Sequence, residues 1–282
     1  MRVGIIGYGF VGKALRSGLN SSTEVSIIDP KLNTSENDLL VFKPEIIFIC
    51  VPTPMGDDGF QDFSILNKVI DNLKKLNLTC PVVIKSTVLP DILEQITKEL
   101  PSLVYNPEFL REKHANEDFI HSNMIVIGSK NKSSIDFVIN FYVENTKCKC
   151  KNFVKTDVIT ASFIKYTINS FLATKVSFFN ELYHVFTKSN TSETWNNFVE
   201  YLSHDTRLGN SHMFVPGHDG KFGFGGACLP KDSIALVKFA ETFGCELNVL
   251  NKAIAVNNTV RHKYNTDQRE SDQNINFFNK NI

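Results

Sequence analysis

Cys228 has the surroundings a nucleophile needs. It closes the glycine-dense loop Lys221-Phe222-Gly223-Phe224-Gly225-Gly226-Ala227 and stands just before an amphipathic run, Asp232 to Phe243. In that run Ile234, Leu236, Val237, Phe239, Ala240 and Phe243 recur at helical spacing, which predicts a helix with Cys228 near its N-terminus. Exposed N–H groups and the positive end of the helix dipole favour thiolate over thiol there, and Lys231 adds to the effect. Gly223, Gly225 and Gly226 would let backbone approach a ligand that side chains would block. An inert, buried cysteine in a flexible loop would give the same local composition, so the loop alone does not decide its role.

A second group of polar residues lies on a predicted long helix. From Val158 to Lys188 there is neither glycine nor proline, and a helix over that run would reach about 46 Å, the spine of a helical domain with a face to offer another subunit. Lys165 and Asn169 are four apart and share one face, with Asn180 nearly aligned further on. They interrupt a Phe/Leu/Val/Ile-rich sequence, either as a solvated stripe or as groups aimed at a substrate.

The elements that position these residues begin at the N-terminus. The apolar run Val3 to Ile6 feeds Gly7-Tyr8-Gly9-Phe10-Val11-Gly12, and Ala14, Leu15 and Leu19 continue on one helical face. This is a strand, a G-x-G-x-x-G turn and a helix: Gly7 permits the turn, Gly9 lets pyrophosphate approach, and Gly12 lets the helix pack against the strand. Val25 to Ile28 reads as the next strand and ends in Asp29, where a carboxylate can bind ribose hydroxyls. That acid favours NAD over NADP, whose 2′-phosphate would meet a negative charge.

Further strands read at Glu45 to Cys50, Pro81 to Lys85, Leu103 to Tyr105 and Met124 to Ile127, with helices between them, from about Asp62 and around Ile135 to Tyr142. Thr53, Thr87 and Glu108 each follow a strand's carboxyl end, the side on which open parallel sheets bind ligands. A shorter helix is predicted over Ser192 to Leu202, with Trp195 in a packing role, and a last one over Asn248 to Arg261. The fold class is therefore α/β: a Rossmann-type doubly wound parallel sheet over residues 1–156, followed by an all-α central domain built on a long helix over 157–262. Residues 263–282 are rich in Asn, Gln and charge and read as a disordered tail.

Composition narrows the function. Thirty basic and thirty acidic residues cancel, so no basic field draws nucleic acid and no acidic or basic tail is present. No run approaches the roughly 18 apolar residues of a membrane span, and glycine and charge come too early for a secretory signal. Six scattered cysteines form no disulfide framework, which points to a reducing, cytoplasmic setting. Neither Cys148-Lys149-Cys150 nor the loop histidines His204, His212 and His218 have metal-ligand spacing, so no metal is expected.

Taken together, these motifs resemble the UDP-glucose/GDP-mannose dehydrogenases. The resemblance rests on the Gly7–Gly12 turn, Val51-Pro52-Thr53-Pro54, Ser86-Thr87-Val88, Asn106-Pro107-Glu108-Phe109-Leu110-Arg111-Glu112, Lys165 to Asn169, Asn180-Glu181, Arg207-Leu208-Gly209-Asn210 and Gly223 to Asp232. It implies oxidation of a nucleotide-sugar alcohol to the carboxylate by two NAD, with UDP-glucose as the expected substrate. Cys228 would carry the thiohemiacetal and thioester, and Lys165 and Asn169 would stabilise the oxyanion. Asp232 with Thr87 would position water or a proton, and Glu108 or Glu112 would assist hydrolysis. NAD would be held by Gly7, Gly9, Phe10, Val11, Gly12, Asp29, Val51, Pro52, Thr53 and Thr87. The sugar nucleotide would be held by Phe109, Leu110, Glu112, Lys165, Asn169, Phe222, Gly223 and Gly225, with Arg207 reaching from a second subunit in a homodimer.

Two local departures stand out: no glycine follows Ser86-Thr87-Val88, and Lys113 replaces a small residue. The chain also reads as a short form without the family's further nucleotide-binding domain. Two other readings stay open. One is a two-electron β-hydroxyacid dehydrogenase, which also uses a Lys-x-x-x-Asn helix. The other is a catalytically idle nucleotide-sugar-binding homologue.

Overall fold

The computed structural model describes residues 1–277. They form two compact units, one of residues 1–53 and 62–165, the other of 54–61 and 166–277. The division between these units falls after Lys165, inside the long helix.

In chain order the first unit contains β1 (Arg2–Ile6), α1 (Phe10–Gly18), β2 (Glu24–Ile28), α2 (Asp38–Phe42), β3 (Ile46–Ile49), α3 (Ser64–Leu76) and β4 (Val82–Ile84). It continues with α4 (Pro90–Glu99), β5 (Val104–Tyr105), α5 (Ala115–Ile120), β6 (Ile125–Gly128), α6 (Lys132–Asn145) and β7 (Phe153–Thr156). The strands form one sheet in the order β2-β1-β3-β4-β5-β6-β7. All four residues of β3 and all three of β4 are buried, the continuous apolar run of a strand covered on both faces. On α3, Leu66, Val69, Ile70 and Leu73 are buried at three- and four-residue spacing, and the opposite face is solvated.

The sheet is not wholly parallel. β5 and β6 pair antiparallel through Tyr105 and Gly128, while β6 and β7 are parallel to each other, so the last two strands run against the first five. The segment between β5 and β6 contains the six-residue α5. It packs on α1, where Gly18 leaves room for the Phe119 ring: a Cβ at Gly18 would lie 2.1 Å from it.

α7 (Val158–Lys188) is helical over the whole glycine- and proline-free run. In the second unit its later turns are joined by α8 (Trp195–Ser203), α9 (Leu229–Glu241), α10 (Asn248–Arg261) and α11 (Gln268–Ser271). Phe179, Trp195, Val199, Met213 and Val215 form one core, where Trp195 packs edge-on against Phe179, Tyr183 and Phe186. Met55, Ala173, Phe224, Ile234, Val237, Leu250, Ile254, Ile275 and Phe277 form another.

The last two residues of that core correct the expectation of a disordered tail. Residues 263–277 are folded: Asp267 and Glu270 form a capping box, Glu270 is buried, and Ile275 and Phe277 enter the core. Residues 278–282 of the expected tail lie outside the described residues. No helix among the described residues is long and apolar enough to cross a membrane.

Candidate active site

The dinucleotide turn is built by sterics. Gly7 sits at φ +91°, and a Cβ there would lie 2.6 Å from the Cys50 carbonyl oxygen. A Cβ at Gly12 would lie 2.2 Å from the Gly7 carbonyl oxygen, so α1 can approach β1 only with glycine at that position. At Gly9, by contrast, nothing lies within 4 Å of where a Cβ would stand. Gly9 caps α1 without a side-chain hydrogen bond, and the first turn carries no acid, which leaves the helix dipole available to an anion. The Asp29 carboxylate accepts from Tyr8 N (2.7 Å) on one oxygen and Lys31 N (2.9 Å) on the other, tying the end of β2 to the turn. This open, uncapped, acid-flanked turn fits the pyrophosphate and ribose of NAD.

The other strand ends of the first unit are linked in series. Thr53 Oγ1 donates to the Thr87 carbonyl (2.9 Å), and Ser86 Oγ donates to the Val51 carbonyl (2.6 Å). After β5, Glu108 is buried against Lys165, whose Nζ donates to the Glu108 carbonyl (2.5 Å) and lies 3.4 Å from its Oε1. Glu108 Oε2 accepts from Leu110 N (2.6 Å), and the Phe109 ring faces Lys165 Nζ. Glu112, by contrast, is exposed on a 3-10 turn.

Lys85, which the sequence pattern did not single out, is also buried here. Its Nζ donates to the Asn106 carbonyl and side chain and to Tyr142 Oη at 3.0–3.2 Å, bracing the turn that carries Glu108. Burial pushes the Cys50 thiol beside these strand ends up to about 12, with Lys85 pulling down and Glu108 pushing up. Cys50 is therefore a protonated core residue.

In the second unit, Cys228 is half-buried and is the N-cap of α9, one turn earlier than the apolar periodicity placed the helix start. Its carbonyl accepts from Asp232 N (2.9 Å). Asp232 is fully buried, with Lys231 Nζ on Oδ1 (2.5 Å) and Asn169 Nδ2 on Oδ2 (2.6 Å). Lys231, expected to act on the cysteine, is thus paired with its own neighbour. Removing either charge would strand the other in the core at about 3–5 kcal/mol.

The loop before Cys228 is held donor by donor. Phe222 N donates to Tyr264 Oη, Gly223 N to Asn180 Oδ1, Phe224 N to Asn257 Oδ1 and Gly226 N to Glu270 Oε1, at 2.6–3.3 Å. Gly225 is required by this packing: a Cβ there would lie 1.3 Å from Arg261 Nη2. Of the glycines expected to open the backbone to a ligand, Gly223 and Gly225 are, in this structure, pressed against α10 and the segment after it.

Each unit thus gathers its own subset of the expected residues. The turn, Thr53, Thr87, Glu108 and Lys165 belong to the first, and Asn169, Cys228 and Asp232 to the second. Arg207 joins neither group; it is exposed on a loop and paired with Asp205 (2.5 Å). Composition gave no hint of Asn257, Arg261 or Glu270, whose partners lie 9 to 44 residues away in sequence. Among the described residues no group of His, Cys, Asp and Glu is placed to hold a metal ion.

Comparison with known proteins agrees with this anatomy. The pattern of the UDP-glucose/GDP-mannose dehydrogenase family's NAD binding domain matches residues 30–146, and that of its central domain matches 159–259. UDP-glucose 6-dehydrogenase of Rickettsia felis is 37% identical over 224 residues, covering 76% of this chain and 47% of its own length. UDP-glucose 6-dehydrogenase YwqF of Bacillus subtilis is 32% identical over 265 residues, covering 86% and 55%. The chain therefore spans about half the length of these curated relatives. A UDP-glucose dehydrogenase from the archaeon Pyrobaculum islandicum has the same fold, with a TM-score of 0.76 over 92% of this chain and 68% of its own, at 24% identity. With an NAD-binding domain followed by a central domain on a long helix, the chain belongs to the UDP-glucose/GDP-mannose dehydrogenase family.

Proposed function

We propose that this protein oxidises the C6 alcohol of a nucleotide sugar, UDP-glucose, to the carboxylate in two NAD-dependent steps through a covalent intermediate on Cys228. The observation that carries the reading is Asp232. This fully buried carboxylate is fixed by Lys231 and Asn169 one helical turn from a half-buried cysteine at the head of α9. So costly a buried set has no evident use in an inert loop.

Bound NAD supplies the hydride acceptor for each oxidation. The first oxidation leaves an aldehyde, and the Cys228 sulfur adds to its carbonyl carbon to give a thiohemiacetal. The second converts this to a thioester. Water then cleaves the C–S bond, releasing the acid and returning the thiolate, so each sugar consumes one water and gives up two hydrides. Capture on sulfur keeps the reactive aldehyde from escaping.

Lys165 and Asn169, one turn apart on α7, supply an ammonium and an amide to the oxygen that becomes negative. Asp232 takes up a proton through water. Burial against Lys165 favours Glu108 over the exposed Glu112 for assisting hydrolysis. Asp29 supports NAD over NADP.

A homodimer is supported by Phe171, Phe178 and Val185, seven residues apart on α7 and each at least 58% exposed, a stripe suited to a second copy. Arg207, exposed on its loop, would then serve the partner's substrate. Six thiols without a disulfide support a cytoplasmic setting.

The test is a panel of nucleotide sugars with NADH counted per sugar consumed. Two per UDP-glucose is the expected result. One would favour a two-electron β-hydroxyacid-type dehydrogenase, and none an idle binding homologue.

A further inference from the structure

We propose that the segment from Arg261 to Phe277 is a strap that sets the conformation of the Cys228 loop, with Glu270 as its positioning residue. The segment begins where the match to the family's central domain stops, at residue 259, yet it touches the loop almost residue by residue.

Glu270 Oε1 accepts from Gly226 N (3.0 Å), two residues before the cysteine, and from Arg261 Nη2 (2.9 Å). Arg261 is 1% exposed and reaches back to the loop's start through Asp219 (2.8 Å). Tyr264 Oη takes the Phe222 N–H, and the Asn265 carbonyl takes Lys221 Nζ. The far end is tied down separately. Gln273 O accepts from Met55 N, Asn274 Nδ2 donates to Met55 O, and Ile275 and Phe277 share a core with Phe224. Gly225 fits only because it lacks a Cβ against Arg261 and Glu270, so loop and strap are shaped to each other.

Two roles for Glu270 can be separated. If it only neutralised the buried Arg261, any carboxylate would serve. If it positions the loop, what counts is an acceptor at the distance of the Gly226 N–H. Glu270→Gln keeps an acceptor for the Gly226 N–H and loses the charge and the second oxygen that takes the Asp267 N–H, while Glu270→Asp keeps the charge and loses the reach. The consequence for turnover rests on the reading of Cys228 as nucleophile, so the test includes readouts that do not.

In the full chain, amide exchange is measured over residues 222–228. Cys228 alkylation by iodoacetamide is followed by peptide mass spectrometry, and kcat and KM by NADH absorbance. Glu270→Gln is expected to stay near wild type in all of these. Glu270→Asp and Glu270→Ala should raise exchange in 222–228, change the Cys228 alkylation rate, and lower kcat about ten- to a hundredfold with KM for NAD unchanged. If Glu270→Ala fails to fold, the Gln and Asp pair still decides. Wild-type behaviour of Glu270→Asp alongside an impaired Glu270→Gln would overturn the proposal, as would unchanged exchange and alkylation in every variant. If the wild type turns over no nucleotide sugar, the functional reading fails, and exchange and alkylation still judge the strap.

Discussion

Asp29 combines two tasks in one carboxylate: it ties the glycine turn through Tyr8 N and stands where an adenosine ribose is expected. Replacing it with Ala removes both. NAD efficiency should fall about tenfold, since a hydrogen bond to a charged group is worth ~1.5–3 kcal/mol and this site is partly solvated. NADP should lose less, so the preference narrows without NAD use improving. Steady-state kcat/KM with both cofactors checks this, and an unchanged ratio would remove Asp29 from cofactor choice. The type and place of such residues were legible because turn, strand end and acid are close in sequence. Their partners were not. Lys165 and Asn169 read either as a solvated stripe or as groups aimed at a substrate, and the fold engages them with Glu108 and Asp232, 57 and 63 residues away.

At the scale of elements, α7 and α10 were readable to the residue because their periodicity and lack of breakers are local properties. The reversal of β6 and β7 was not, since strand direction is not a local property. Nor was the strap: a polar stretch with two late hydrophobic residues looks unstructured until a buried Arg261–Glu270 pair organises it.

Two predictions belong here. On α7, changing Phe171 and Phe178 together to Asp should convert a dimer to monomers in sedimentation, because burying each ring is worth about 1.5–3 kcal/mol. An unchanged dimer would place the interface elsewhere. The second concerns the strap's anchor Asp219. Burial alone would raise its carboxyl, but the bond and charge of Arg261 outweigh that and hold it below its ordinary 3.8. A depressed carboxyl stabilises the fold fully above its unfolded value and loses that contribution as pH falls through its folded value. Asp219→Asn should therefore lower the urea midpoint at pH 7, and the difference from wild type should close as pH drops well below 3.8. A difference that persists undiminished in strong acid would show that the contact acts without its charge.

Across the whole molecule, the glycine turn and Cys228 lie in separate compact units. That separation makes the covalent step testable without disturbing cofactor binding. Cys228→Ala should bind NAD as wild type does, because the glycine turn is built wholly from first-unit residues and the cysteine belongs to the second unit. The loop itself should hold, since four of its N–H groups are taken by Tyr264, Asn180, Asn257 and Glu270. Lys165, Asn169 and Asp232 remain to manage the alcohol's proton, so one hydride transfer can still occur, leaving an aldehyde with no thiol to capture it. Sugar acid should disappear from the product, NADH should fall from two per sugar to at most one, and free aldehyde should become detectable with a carbonyl reagent. A variant that still makes the acid at near wild-type rate with two NADH would remove Cys228 as nucleophile. Hydration of the aldehyde would then be the remaining route to the second oxidation.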